Sequence, residues 1–346
     1  MNLLANPLRC VKDFGIWRGI LVQLWRVMCI IPLVSYVSAT YWNIQQRENI
    51  LECFFAFSVV FGFMFSIVRG WLLNMYEREL DELRAFFNDR SYEQQNEWVH
   101  RQRSRFYRRW CWIMSVCMLL VATNLGIFMG TNWNKPIFNL QYRGVIVRSV
   151  PVKIVFKFFS GNISFAFLLT SGTMYLVLKL FRMEFTILTR TLKTSLDEKT
   201  FSTFTEIFRL LALLQYHGTL ILTSCLCLYC LYQQFSLDVV IFVPFCVYLL
   251  CDTLLISISI DDLNDLNQDI GYIVYSLYWP ATIDLAHRGL PKHQLKSVRR
   301  TILIVMQHSQ QPLRFGYGEF GSLSRQRFAD MVQNIYSLLT FMWQFK

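Results

Sequence analysis

Asp252 is the only carboxylate well inside an apolar stretch of this chain, Val239–Ile260. A charge at membrane depth is costly, so it is kept either for a partner, a proton or an ion, or because the span ends early and leaves it at the interface. A second pattern lies near the C-terminus, where Gln333, Ser337 and Thr340 recur at spacings of four and three beside Asn334. That spacing places the first three on one face of a helix. Polar atoms facing lipid are unfavourable, so the face meets water or protein, or glues two helices together.

Other candidate chemistry dissolves on inspection. Cys225, Cys227 and Cys230 look like a metal cluster, but no His or carboxylate sits at ligand spacing around them, and small core residues are the better reading. The five histidines form no ligand set, and His287 and His293 flank Gly289 and Pro291 in a solvated loop. Gly316, Gly318 and Gly321 match a dinucleotide fingerprint by letter, yet no strand-helix-strand unit surrounds them, and they make a turn into the next apolar run. No catalytic motif, metal site or cofactor site is expected, and the chain is not read as an enzyme. Asn162 begins a glycosylation sequon that falls inside an apolar stretch, so it stays unmodified.

The elements that position these residues are apolar and long. Val27–Gln46, Cys53–Val68, Trp110–Asn134, Phe158–Leu178, Leu210–Leu237, Val239–Ile260 and Met331–Phe345 form seven charge-poor windows. Most reach or approach the roughly 20 apolar residues a membrane-crossing helix needs. An apolar fraction of 54% with 30 Phe and a mean hydropathy of +0.33 fits no ordinary soluble domain. Of 34 Lys and Arg, 26 fall in the N-terminus and the connections Arg69–Arg109, Lys179–Arg209 and Asp261–Arg327. Because basic residues are retained on the cytoplasmic side, the N-terminus is expected inside and the C-terminus outside, the reverse of a G-protein-coupled receptor.

The net charge of +11 is thus topological, and the partner it suggests is anionic inner-leaflet lipid rather than nucleic acid. None of the ten Cys lies in the long outer connection Thr131–Phe156, which leaves no disulfide there. The first apolar run starts late and lacks a small-residue cleavage site, so it is expected to be retained as a span. The expected fold is therefore all-α: one polytopic domain over residues 1–346 with seven transmembrane helices and a cytoplasmic helical anchor.

Two connections carry further pattern. Leu72, Met75, Leu83, Phe86 and Phe87 recur with helical spacing, so the second span continues as an amphipathic helix, and spans four, five and six project likewise. After span six, Leu263, Leu266, Ile270, Ile273 and Leu277 form an apolar seam beside the acidic row Asp261, Asp265 and Asp269. The seam packs either on its own subunit or in an intersubunit bundle, and two heptads do not separate these readings.

The last eighty residues resemble the insect odorant receptors. Tyr275-Ser-Leu-Tyr-Trp279 is similar to that family's Tyr-x-x-x-Trp, and Ile302 to Leu313 is similar to its hydrophobic-Met-x-x-Ser/Ala-Gln-x-Pro run. Leu323 to Phe328 and Tyr336-Ser-Leu-Leu-Thr340 are similar to its two final motifs, with His217 and Trp133 to Pro136 as weaker echoes. The acidic Asp261–Asp269 stretch replaces the family's Gly-Glu after span six. The sister family of gustatory receptors, channels gated by tastants, is the alternative; its ending is half present, since Gln344-Phe345 aligns but Ser337-Leu338 stands where Thr-Tyr belongs.

The resemblance implies a plasma-membrane protein of a sensory dendrite. It implies a nonselective cation channel gated by a small volatile organic ligand, built as a heterotetramer of this tuning subunit with a shared co-receptor. Residues 260–322 would then form the cytoplasmic anchor helix and turn, and 323–346 the last, pore-lining helix. Gln333, Asn334, Ser337 and Thr340 would line the pore, with Leu338 and Phe341 as its apolar constriction. The ligand pocket among spans two, three, four and six would be walled from Phe54, Phe57, Asn124, Phe128, Phe159, Phe165, Phe242 and Phe245.

Overall fold

The computed structural model describes residues 30–42, 45, 50–76, 78–83, 85, 97–134, 139–142, 145–191, 198–232, 237–276, 292–310 and 323–344. Within them the chain is all-α apart from one small hairpin. The main helices are α1 (residues 30–42), α2 (Ile50–Met75), α3 (Glu97–Thr131), α4 (Val150–Thr191), α5 (Glu198–Tyr232), α6 (Leu237–Ser276), α7 (Lys292–Ser309) and α8 (Arg325–Trp343), and residues 78–83 after α2 are helical too. Between α3 and α4, β1 (Gln141–Tyr142) pairs antiparallel with β2 (Val145–Ile146), Gln141 opposite Ile146.

Four of these helices contain a segment long and apolar enough to cross a membrane: Phe55–Met75, His100–Thr131, Phe208–Tyr232 and Phe242–Tyr275. Ile30–Trp42 is a shorter apolar helix. The hairpin lies between α3 and α4 at one end of the bundle, and the end of α7 and the start of α8 meet α6 at the other. α4 and α6 form the central pair, with α2 and α5 packed beside them and α8 lying on α5 and α6. α3 packs on α4 but leaves Trp112, Leu119 and Leu120 more than 60% exposed, a lipid-type surface.

The elements follow from local chemistry. Pro151 occupies the first turn of α4, where its missing N–H is no loss. Ser324 caps α8, its hydroxyl accepting from the Arg327 N–H at 3.2 Å. Helix α6 runs unbroken for 40 residues, so the sixth apolar window and the seam after it are one rod. The projecting ends expected for the fourth and fifth windows are present as the last turns of α4 and the first turns of α5.

One sequence expectation needs adjustment, and the structure adds detail to two readings left open. Arg69 does not open a solvated connection: it sits inside α2, fully buried, because α2 continues to Met75. Asp252 is buried among the helices, at 9% exposure. The seam packs on its own chain, Leu263 within the core and Leu266 and Ile270 against it. At Gly271 the backbone of α6 comes so close to α7 that an added Cβ would lie 2.2 Å from the Ser309 hydroxyl. Asn267 closes the same contact, its Nδ2 donating to the Ser309 carbonyl at 3.2 Å. Leu277, Phe86 and the glycines Gly316, Gly318 and Gly321 lie outside the described residues.

Candidate functional site

On α2 the buried positions Phe55, Ser58, Phe65, Arg69 and Leu72 fall on one stripe at helical spacing. Phe55 therefore points inward, and its ring meets Tyr229 of α5 at 4.6 Å and Phe242 of α6 at 5.1 Å between centroids. Phe128 of α3 closes on Phe242 at 5.8 Å, as does Tyr229. Four helices thus place an aromatic cluster near the hairpin end, with tilted and edge-on rings of the kind that hold aromatic pairs. A second group joins it: Tyr36 of α1 meets Phe63 at 4.9 Å and Phe156 at 5.8 Å, and its hydroxyl donates to Ser160 at 3.5 Å.

Of the eight pocket residues named from sequence, Phe242 is buried in this cluster and Phe128 and Phe245 pack against it. Asn124, Phe159 and Phe165 are half-buried, Phe159 beside Phe158 at 6.1 Å. Phe57 points outward, 49% exposed, because the stripe that buries Phe55 turns it away. The Phe54 side chain lies outside the described residues. Sequence reading missed Phe55, Tyr229, Tyr36 and Phe156. The signal for Phe55 was the small-residue stripe Ser58, Gly62 and Ser66, which sets the helical phase that a run of adjacent phenylalanines hides.

Below this cluster lies a polar layer. Asp252 Oδ2 accepts from the Ser171 hydroxyl of α4 and from Gln215 Nε2 of α5, both at 2.9 Å. Gln215 Nε2 is also 2.9 Å from Thr253 Oγ1, and the Thr253 hydroxyl reaches Thr219 Oγ1 at 2.9 Å. Arg69 Nη1 of α2 stands 3.8 Å from Asp252 Oδ2. The guanidinium lies over the rings of Phe65 at 5.4 Å and Phe167 at 4.9 Å, and Nη2 contacts the Met174 sulfur at 3.3 Å. A charge buried this way persists only when a counter-charge and hydrogen bonds hold it. Among the described residues no group of three His, Cys, Asp or Glu side chains forms a metal-binding set.

The last helix has two faces. Met331 and Ile335 are buried and Phe328, Leu339 and Met342 half-buried against α5 and α6. Gln333, Ser337 and Thr340 stand on the opposite face, with Asn334 and Phe341 beside them, all exposed on the protomer. Leu338, 42% exposed, sits on the flank between the faces. Both ends of α8 are tied. At the α7 end, Asp261 accepts from the Arg325 backbone N–H at 2.8 Å and Asp262 from Arg325 Nη2 at 2.9 Å, while Asp262 also meets Arg182 at 2.6 Å and Lys179 at 3.8 Å of α4. At the hairpin end, the Tyr232 hydroxyl of α5 donates to the Met342 carbonyl at 3.0 Å.

No protein-family model and no curated protein matches the sequence. The structure is similar to that of the insect olfactory receptor OR5 from Machilis hrabei, with a TM-score of 0.66 at 12% identity over 96% of this chain and 90% of that one. It is similar also to the same receptor in complex with eugenol, with a TM-score of 0.69 at 13% identity over 96% and 91%. A likeness at this identity is one of architecture, and it spans nearly the whole of both chains: the chain has the fold of an insect olfactory receptor.

Proposed function

We propose that the chain is an odorant-receptor subunit, a ligand-gated nonselective cation channel that crosses the plasma membrane seven times with its N-terminus in the cytoplasm. The observation that carries the reading is the whole-length fold likeness to an olfactory receptor. The chain's own chemistry agrees with it. An apolar, aromatic interior with few hydrogen-bonding groups suits a small volatile organic ligand, and eugenol, held by the similar receptor, is a molecule of that kind. The pocket is assigned to the aromatic cluster, with Phe128, Phe242, Phe245, Asn124, Phe159 and Phe165 from sequence and Phe55 and Tyr229 added by position.

The exposed polar face of α8 is the pore lining in this reading, Gln333, Asn334, Ser337 and Thr340 meeting hydrated cations once four subunits surround an axis. Leu338 and Phe341 supply the apolar constriction. The bundle end that carries α7 is the cytoplasmic anchor, facing anionic lipid, and a co-receptor subunit completes the tetramer. The test is to record currents from cells expressing the chain with and without an odorant co-receptor, across a volatile panel that includes eugenol. A cation current opened by a volatile and absent from untransfected cells is expected. Surface-localised chain that conducts under no member of the panel, with or without co-receptor, overturns the reading.

A further inference from the structure

We propose that Arg69 and Asp252 are positioning residues for gating, the polar layer they anchor carrying a displacement of the aromatic cluster to the last helix. The proposal rests on the channel reading above.

The layer divides the bundle interior in two. Phe65, Phe167, Leu222 and Leu249 belong to the apolar cluster on its hairpin side, and Leu72, Met174, Leu211 and Ile256 to the cluster on the other. Between each of these pairs the same helix contributes a polar residue to the layer: Arg69, Ser171, Gln215 and Asp252 in turn. Four helices are therefore held in axial register at one level by hydrogen bonds and charge rather than by shape alone.

The two helices that grip α8 meet in this layer. α5 holds one end of α8 through Tyr232 and enters the layer at Gln215 and Thr219; α6 holds the other through Asp261 and Asp262 and enters it at Asp252 and Thr253. Both run as continuous helix between those points. α8 can tilt only if α5 and α6 shift against each other, and the layer is where such a shift is resisted. On the other side, the guanidinium rests on the rings of Phe65 and Phe167, so a ligand that moves those rings moves the cation.

The layer also has a second arrangement within reach. Arg69 Nε and Nη1 have no hydrogen-bond partner, and Nη1 is too far from Asp252 Oδ2, at 3.8 Å, to donate to it. Closing that gap makes a charge-assisted hydrogen bond on an oxygen that already accepts from Ser171 and Gln215, and the three donors then compete for position around it. Two sets of bonds for one carboxylate give the layer two states for a ligand to choose between.

The test uses the full chain co-expressed with the co-receptor and carrying Ser337→Cys on the exposed face of α8. The reading is the rate at which a membrane-impermeant methanethiosulfonate modifies that thiol, above the rate without the introduced cysteine. Ser171→Ala, a mild change that removes one bond to Asp252, is the deciding variant; Arg69→Met with Asp252→Asn removes both charges together. Thr123→Ala, which removes a hydroxyl that bonds only to the Leu119 carbonyl of its own helix at 2.7 Å, is the control. Ser171→Ala is expected to change the rate by about threefold or more, within the range of measured allosteric couplings, at preserved surface abundance, and Thr123→Ala to leave it alone. An unchanged rate in Ser171→Ala, or an equal change in Thr123→Ala, overturns the proposal. A wild-type chain that carries no current refutes the channel reading instead, and the thiol rates still decide whether the layer governs α8.

Discussion

Gly218 of α5 lies against the ring of Phe65, and its replacement by Ala should destabilise the protein in one background and stabilise it in another. A Cβ there would lie 2.2, 2.5 and 2.6 Å from three ring carbons of Phe65, where ordinary carbon contacts are about 3.5–4.0 Å. The ring would have to retreat by about 1 Å or more, yet Phe167 at 5.6 Å and the Arg69 guanidinium at 5.4 Å close off its other sides. Overpacking of this kind costs about 1–3 kcal/mol. Ala gains about 1 kcal/mol over Gly in helix propensity, so the net loss is at most about 2 kcal/mol. With Phe65→Leu the two nearest ring carbons, Cε2 and Cζ, are gone and a smaller, flexible side chain stands there, so the propensity gain prevails and reverses the sign. The assay is the apparent melting temperature of the solubilised protein, with surface biotinylation alongside: Gly218→Ala lowers it in the wild-type background and raises it over Phe65→Leu alone. A Gly218→Ala variant no more harmful in the wild-type background than over Phe65→Leu refutes the packing argument.

Four further outcomes are expected. An epitope placed after Lys346 stains on intact cells and one before Met1 only after permeabilisation; the opposite pattern removes the orientation. Exchanging Gln333 or Ser337 for Ala moves relative cation permeability measured by reversal potential, and Leu338→Ser raises current without ligand, since a more polar constriction wets more easily. Phe242→Ala, which empties the centre of the aromatic cluster, shifts the volatile dose-response by about tenfold and leaves ion selectivity as it was. Asp262→Ala removes the ion pairs to Arg182 and Lys179 and leaves Arg325 with Asp261 alone, and the resting current changes while surface abundance stays within about twofold, because partly exposed ion pairs add little stability.

The all-α class and the placing of most apolar helices were legible because membrane-scale apolar runs and the 3.6-residue period are strong signals. What sequence could not settle was the rotation of each helix. In α2 three phenylalanines fall within four positions, and choosing Phe54 and Phe57 over Phe55 required knowing which face α5 and α6 cover. The window of span two ended at Val68 because Arg69 is charged, and only its partner on α6, 183 positions away in the chain, explains why the helix keeps it. Asp252 drew attention as an isolated carboxylate, but Ser171 and Gln215 carry no charge and gave no warning. The seam at Leu263 to Ile270 was plain as a pattern. Its partner was not, since an apolar stripe says that it is covered and not by what.

The polar layer has a consequence for how this chain can diversify. Tyr229 and Phe181 lie in different apolar clusters, one on each side of the layer, and Leu214 and Tyr248 pack against both clusters. Packing energies of changes that far apart are close to additive, so a poor fit in one cluster does not by itself unpack the other, even though the layer passes displacements between them. The half that would meet odorants is thereby free to drift through many aromatic and aliphatic combinations, while the half that holds Arg325 on Asp261 and Asp262 keeps its own geometry. A fold shared at 12% identity is what such a bulkhead permits.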